Sequence, residues 1–123
     1  MAEERLYHID HLLKLASRNS EIVREMIDLF LKQTPESFFL IEELCKENKW
    51  DELQREIHRL KSSMAVFGIS VIQEKLQTVE TELLEKKDFN LIPEQVNEIC
   101  TLGKMIIMQI EKDKQTLLKN GKG

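Results

Sequence analysis

The residues of this chain best equipped for chemistry gather in one short stretch, HRLKSSMAVFG, at positions 58–68. An ordinary imidazole, with a pKa of about 6.5, is mostly neutral at pH 7 and keeps one ring nitrogen free as base, ligand or nucleophile. Lys61 adds a cation three residues after His58, and Ser62 and Ser63 add hydroxyls that can donate or accept. Other combinations are weaker. A serine near a histidine performs hydrolysis only with an orienting acid and an oxyanion hole, and neither is recognisable here. His8 and His11 stand three apart, but no cysteine or convincing carboxylate set completes a tetrahedral site, so two surface histidines and no metal are expected.

Helices must position the stretch. The chain has 123 residues, 41% hydrophobic and 33% charged, which fits one compact domain, residues 1–123, with a single core spanning about 9–112. Four glycines and two prolines leave little material for the turns of an all-β protein. The terminal KNGKG, residues 119–123, is expected to be a flexible edge outside the core. Apolar spacing predicts a short first helix over Tyr7–Ala16, then a second capped by Asn19 or Ser20 with Ile22, Met26, Leu29 and Phe30 as its stripe. Pro35 is expected to kink that second helix, with residues 36–46 as its continuation. The third helix begins near Trp50 and carries Leu53, Ile57, Leu60, Met64 and Phe67. Gly68 suits the left-handed position that closes it. A fourth helix uses Ile72, Leu76, Val79 and Leu83 and ends in Lys86, Lys87 and Asp88. A fifth starts at Pro93 and uses Val96, Ile99, Gly103, Ile106 and Ile110. Gly103 costs about 1 kcal/mol of helix propensity relative to alanine, which points to a close approach between helices. The fold class is all-α: an antiparallel up-and-down four-helix bundle with a short additional N-terminal helix.

On the third helix the core stripe clusters within about 40° of its centre, and His58 falls about 140° away, so it faces water. Arg55, Ser62 and Ala65 share its side, and Lys61 lies at the edge toward the core. Small residues at 62 and 65 leave a low surface on which another macromolecule can approach the ring, and Val66 adds an exposed apolar contact. Ile27, Leu31, Phe38 and Phe39 are mostly core, with one or two expected to extend an apolar patch beside His58.

The remaining composition narrows the class. A net charge of −4 with no basic block argues against a nucleic-acid surface, and a protein partner fits better. Cys45 and Cys100 lie far apart and outside any CxxC, as buried thiols of a reducing compartment would. No signal-like start and no apolar run of about 18 residues is visible, so a cytoplasmic chain without membrane insertion is expected.

His58, Leu60, Lys61, Ser62, Ser63 and Gly68 together resemble the signature of histidine-containing phosphotransfer (HPt) domains, which reads HxLKG, two small residues, and a second glycine ten positions after the histidine. The likeness extends over roughly residues 9–112, including Leu15-Ala16 and LFLKQTPE at 29–36. Ser62 departs from the pattern by replacing the usual glycine, which leaves partner choice and transfer rate less defined than the activity.

The resemblance implies a phosphocarrier of a two-component phosphorelay, without autokinase activity of its own. His58 would take a phosphoryl group from a receiver-domain aspartate and pass it to another receiver, with Lys61 stabilising the phosphoryl charge. Arg55, Arg59, Ser62, Ser63, Ala65 and Val66 would contact the phosphoryl group or the receiver, and Gly68 would be structural. Partners would be response-regulator receiver domains, including those of hybrid sensor histidine kinases. Mg²⁺ would sit on the receiver, no cofactor on this domain, and the chain would be a monomer. The absence of a GxxxxGK loop agrees with a domain that binds no nucleotide. The phosphoacceptor domain of a sensor kinase fits less well: there an acidic residue follows the histidine and a proline comes soon after, whereas Arg59 and the serine pair stand here. The alternative of another class is a helical interaction module with the same bundle and no phosphotransfer.

Overall fold

The computed structural model describes residues 6–86 and 89–120, and its regular elements are all helices. In chain order they are α1 (Asp10–Leu15), α2 (Ser20–Lys46), α3 (Trp50–Val66), α4 (Ser70–Glu85) and α5 (Ile92–Asn120). Helix α2 packs on α3 and α5, and α4 packs on the same two, so the four long helices close a ring around one core. Their polar cross-links show the antiparallel register. Gln54 and Lys61 of α3 meet Glu80 and Gln77 of α4, Lys75 and Glu82 of α4 meet Glu98 and Gln95 of α5, and Phe38 and Asp28 of α2 meet Cys100 and Lys114 of α5.

Local chemistry sets the helix ends. Asn19 Oδ1 accepts from the backbone N–H groups of Glu21 and Ile22, which caps α2. Helix α2 then runs unbroken through Pro35, whose ring nitrogen has no hydrogen to donate. Its buried face is Val23, Ile27, Phe30, Thr34, Phe38, Ile41, Leu44 and Cys45, which keeps Phe30 of the expected stripe and shifts the remainder by one residue. Ile22 and Leu29 are instead 42% and 52% exposed. Thr34 interrupts the apolar pattern of the true stripe, while Ile22, Met26 and Leu29 imitate one a residue out of phase.

The stripes expected on α3, α4 and α5 are buried throughout. Two close approaches explain two glycines. Gly68 has φ +59°, and a Cβ there would lie 2.6 Å from the carbonyl oxygen of His8. His8 N–H in turn bonds Phe67 O at 2.9 Å, tying the N-terminal segment across the end of α3. At Gly103 a Cβ would come within 2.4 Å of the Phe38 ring, so the glycine lets α5 seat against α2.

The ends of the chain differ from expectation. Helix α1 is shorter, and Tyr7 enters the core as a single side chain whose hydroxyl donates to Asp113 at 2.7 Å. Helix α5 is longer: Leu117 and Leu118 are buried and the helix reaches Asn120, so the core extends beyond residue 112 and 119–120 are helical. Residues 121–123 lie outside the described residues. Helix α4 ends at Glu85, with Lys86 left-handed at φ 53°, and the expected terminal Lys87 and Asp88 lie outside the described residues. Cys45 and Cys100 are buried thiols; burial raises both, and with Glu42 beside it Cys100 is pushed up to about 12.

Candidate functional site

Helix α3 turns its apolar face inward and leaves the His58 side chain 67% exposed. Its ring is nevertheless held. Nδ1 lies 2.8 Å from Glu80 Oε2, a carboxylate presented by α4 and only 3% exposed. Gln54 Nε2 donates to the same oxygen at 2.9 Å, and Lys61 Nζ donates to Glu80 Oε1 at 2.5 Å. Lys61 also donates to Gln77 Oε1 at 2.6 Å, and Gln77 Nε2 donates to Thr81 Oγ1 at 3.1 Å. Lys75 of α4 pairs with Glu98 of α5, and Gln95 of α5 donates to Glu82 of α4.

The electrostatics of Glu80 decide the state of the imidazole. Burial pushes its carboxyl up, but hydrogen bonds from Lys61, Gln54 and His58 and the charge of Lys61 outweigh that and hold it below the ordinary glutamate value of 4.5. It is therefore ionised at neutral pH and can only accept. Nδ1 must then carry the hydrogen of a neutral ring, and the lone pair falls to Nε2, on the ring edge turned away from Glu80. The arrangement presents a nucleophilic nitrogen of fixed identity on an accessible surface.

The other expected site residues divide between the two flanks of α3. Lys61 is on the α4 flank with His58, its ammonium engaged by Glu80 and Gln77. Arg59, Ser63 and Val66 lie on the α2 flank, where they line a groove of about 440 Å³ together with Met26, Leu29 and Leu40. Arg59 pairs there with Glu56 at 3.4 Å, a carboxylate that is itself buried. Ser62, one turn after His58 on α3, is exposed, and Ala65 is half-buried. Arg55 points elsewhere, into a shallow cleft with Trp50 and Phe89, whose rings stack at 4.9 Å. Gly68 closes the far end of α3.

Two expectations about the apolar surface need correction. Val66 is half-buried against the core, because the α2 side chains rise beside it. The patch beside the histidine helix does not come from Ile27, Phe38 or Leu31, the first two buried and the third half-buried, nor from Phe39, which is exposed but outside the groove. Leu29 and Leu40, 52% and 41% exposed, supply it with Met26. The phase error on α2 that misplaced its stripe misplaced this patch as well.

Sequence reasoning missed Glu80, Gln54 and Gln77. A signal for Glu80 was present: it follows Leu76 by four residues and precedes Leu83 by three, which sets a carboxylate at the margin of a buried stripe. Gln54 is one turn before His58, and nothing in its type alone marks it.

Among the described residues no group of three or more His, Cys, Asp or Glu side chains is gathered as a metal site, and no helix is long and apolar enough to cross a membrane. Comparison with curated proteins and with solved structures finds no match. The family model of the Hpt domain matches residues 25–114, which takes in most of the four-helix bundle and the whole of the His58 cluster. The chain belongs to the Hpt domain family.

Proposed function

We propose that this chain is a histidine phosphotransfer protein of a phosphorelay in which His58 accepts a phosphoryl group from a receiver-domain aspartate and hands it to another receiver. The observation that carries this reading is the pinned ring: Nδ1 faces an ionised Glu80 at 2.8 Å while the side chain stays 67% exposed. In the transfer step the Nε2 lone pair attacks phosphorus, a P–N bond forms as the P–O bond to the aspartyl carboxylate breaks, and that carboxylate leaves with the electron pair. The ring becomes an N-phosphoimidazolium, whose positive charge Glu80 stabilises through the hydrogen retained on Nδ1. Reversal toward the second receiver returns the same neutral tautomer. The chain thus acts as a carrier rather than a kinase, and Mg²⁺ belongs to the receiver in this scheme.

Lys61 acts through Glu80 in this proposal. Its ammonium offsets the carboxylate charge, and a displaced Nζ would have to leave both Glu80 and Gln77 to reach the phosphoryl oxygens. Ser62, exposed one turn from His58, offers those oxygens a hydroxyl, and Arg59 and Ser63 meet the receiver at the edge of the groove. The docked receiver covers the apolar groove on the α2 flank. A standard interface of about 800 Å² per partner, centred on His58, takes it in.

Phosphorylating ¹⁵N-histidine-labelled protein from a receiver and reading the ring by two-dimensional ¹H–¹⁵N NMR tests the geometry. Phosphorus on His58 Nε2 is expected. Phosphorus on Nδ1, or on another residue, would break the reading.

A further inference from the structure

We infer that Gln54 is a positioning residue for the nucleophile, holding the Glu80 carboxylate in the rotation that dictates which nitrogen of His58 carries hydrogen. The inference deepens the phosphoacceptor reading and rests on it for its consequence in rate, but not for its geometry.

Three donors compete for the two oxygens of Glu80. Lys61 Nζ is the charged one and binds Oε1 at 2.5 Å, so it alone would draw the carboxylate toward itself, where both oxygens can meet one ammonium. His58 Nδ1 is a neutral donor on an exposed ring at 2.8 Å, and weaker. Gln54 adds a second bond to Oε2 at 2.9 Å. Gln54 and His58 are four residues apart on α3, so their donors rise from one helix face and converge on one oxygen. With Oε2 doubly occupied and Oε1 held by Lys61, the carboxylate plane is fixed from opposite sides. Glu80 is 3% exposed, so water is a poor substitute for a lost donor. Gln77 restrains the competitor: by accepting a second hydrogen of Lys61 at 2.6 Å it anchors that ammonium away from Oε2.

Removing the amide should therefore free the carboxylate to rotate toward Lys61 and release Nδ1. The ring would then sample the Nε2–H tautomer, in which the outward nitrogen has no lone pair to offer.

The test uses the full chain labelled with ¹⁵N-histidine, with Gln54→Leu as the variant that keeps bulk and removes the donor, and Gln54→Ala as a second in case leucine packs badly; helical circular dichroism reports folding. Wild type should show His58 in the Nδ1–H form at neutral pH. Both variants should show a mixture with two thirds or more of Nε2–H, and a correspondingly three- to tenfold slower phosphorylation at saturating receiver with half-saturation unchanged. A folded variant whose His58 spectrum matches wild type overturns the inference, whatever its rate. Because the tautomer is read without any phosphoryl donor, a wild-type protein that takes no label defeats the relay reading alone. A labelled wild type with an unmoved Gln54→Leu spectrum defeats this inference alone.

Discussion

The two flanks of the histidine helix are built in opposite ways. On the α4 side, Gln54, His58 and Lys61 close onto Glu80 and Gln77 with polar contacts of 2.5–2.9 Å. On the α2 side, Arg59, Ser63 and Val66 border an open groove whose rim includes half-exposed leucines. One flank fixes a single atom, and the other offers a surface. A phosphocarrier needs both, because in-line transfer demands a nucleophile held still and a partner brought to it. Their separation on opposite sides of one helix lets each be altered without the other.

The sharpest way to break that division is to alter the polar flank alone. Glu80→Gln should slow phosphorylation of His58 by about 10–100-fold, comparable with the loss when a metal-bound histidine loses the partner that orients it. Receiver affinity should stay within about twofold, since the groove is untouched. Single-turnover rates across receiver concentrations separate the two effects.

The mirror-image experiment charges the groove. Leu29→Glu and Leu40→Glu, at positions already half-exposed, should each weaken receiver binding by about tenfold, about 1.4 kcal/mol, and leave the rate at saturation near wild type. Titration calorimetry with a receiver measures the first and single turnover the second. If the rate at saturation falls instead, the flanks are not independent.

A lesion behind α2 sharpens the comparison further. Gly103→Ala drives a Cβ into the Phe38 ring, and overpacking of about 1–3 kcal/mol against a helix-propensity gain of about 1 leaves a net loss of up to about 2 kcal/mol. Thermal unfolding should show a lower Tm. Because the strain lands on α2, receiver affinity should suffer while the His58 tautomer stays as in wild type.

The smallest expected effect is acid sensitivity. The Glu80 carboxyl titrates below 4.5 in the folded chain, so its contribution to stability is complete above that ordinary value and is lost as pH falls through the depressed one. The stability difference between wild type and Glu80→Gln should shrink as pH falls below the ordinary glutamate value of 4.5. Urea unfolding at several pH values checks this.

The same contrast shows how much the sequence disclosed. The outward histidine, the α3 and α4 stripes and the close approach at Gly103 were legible because apolar residues there recur with the helical period and have few rivals in register. The buried stripe of α2 was not, since Thr34 sits in it and three apolar residues beside it imitate another. Glu80 was hidden for a different reason. Its role depends on which two helices become neighbours and at what height, and a carboxylate four residues from a leucine looks like any charged helix margin until α3 is laid against α4. Gln54 was less visible still, because it acts only through that carboxylate.

The most direct test of the central claim is to incubate the protein with phosphorylated receiver domains and Mg²⁺, following acid-labile, base-stable phosphate on wild type and on His58→Gln. Label on wild type and none on His58→Gln is the predicted result. Equal label on both would place the acceptor elsewhere, and no label on folded wild type from any cognate receiver would leave the bundle as an interaction module with no phosphoryl traffic.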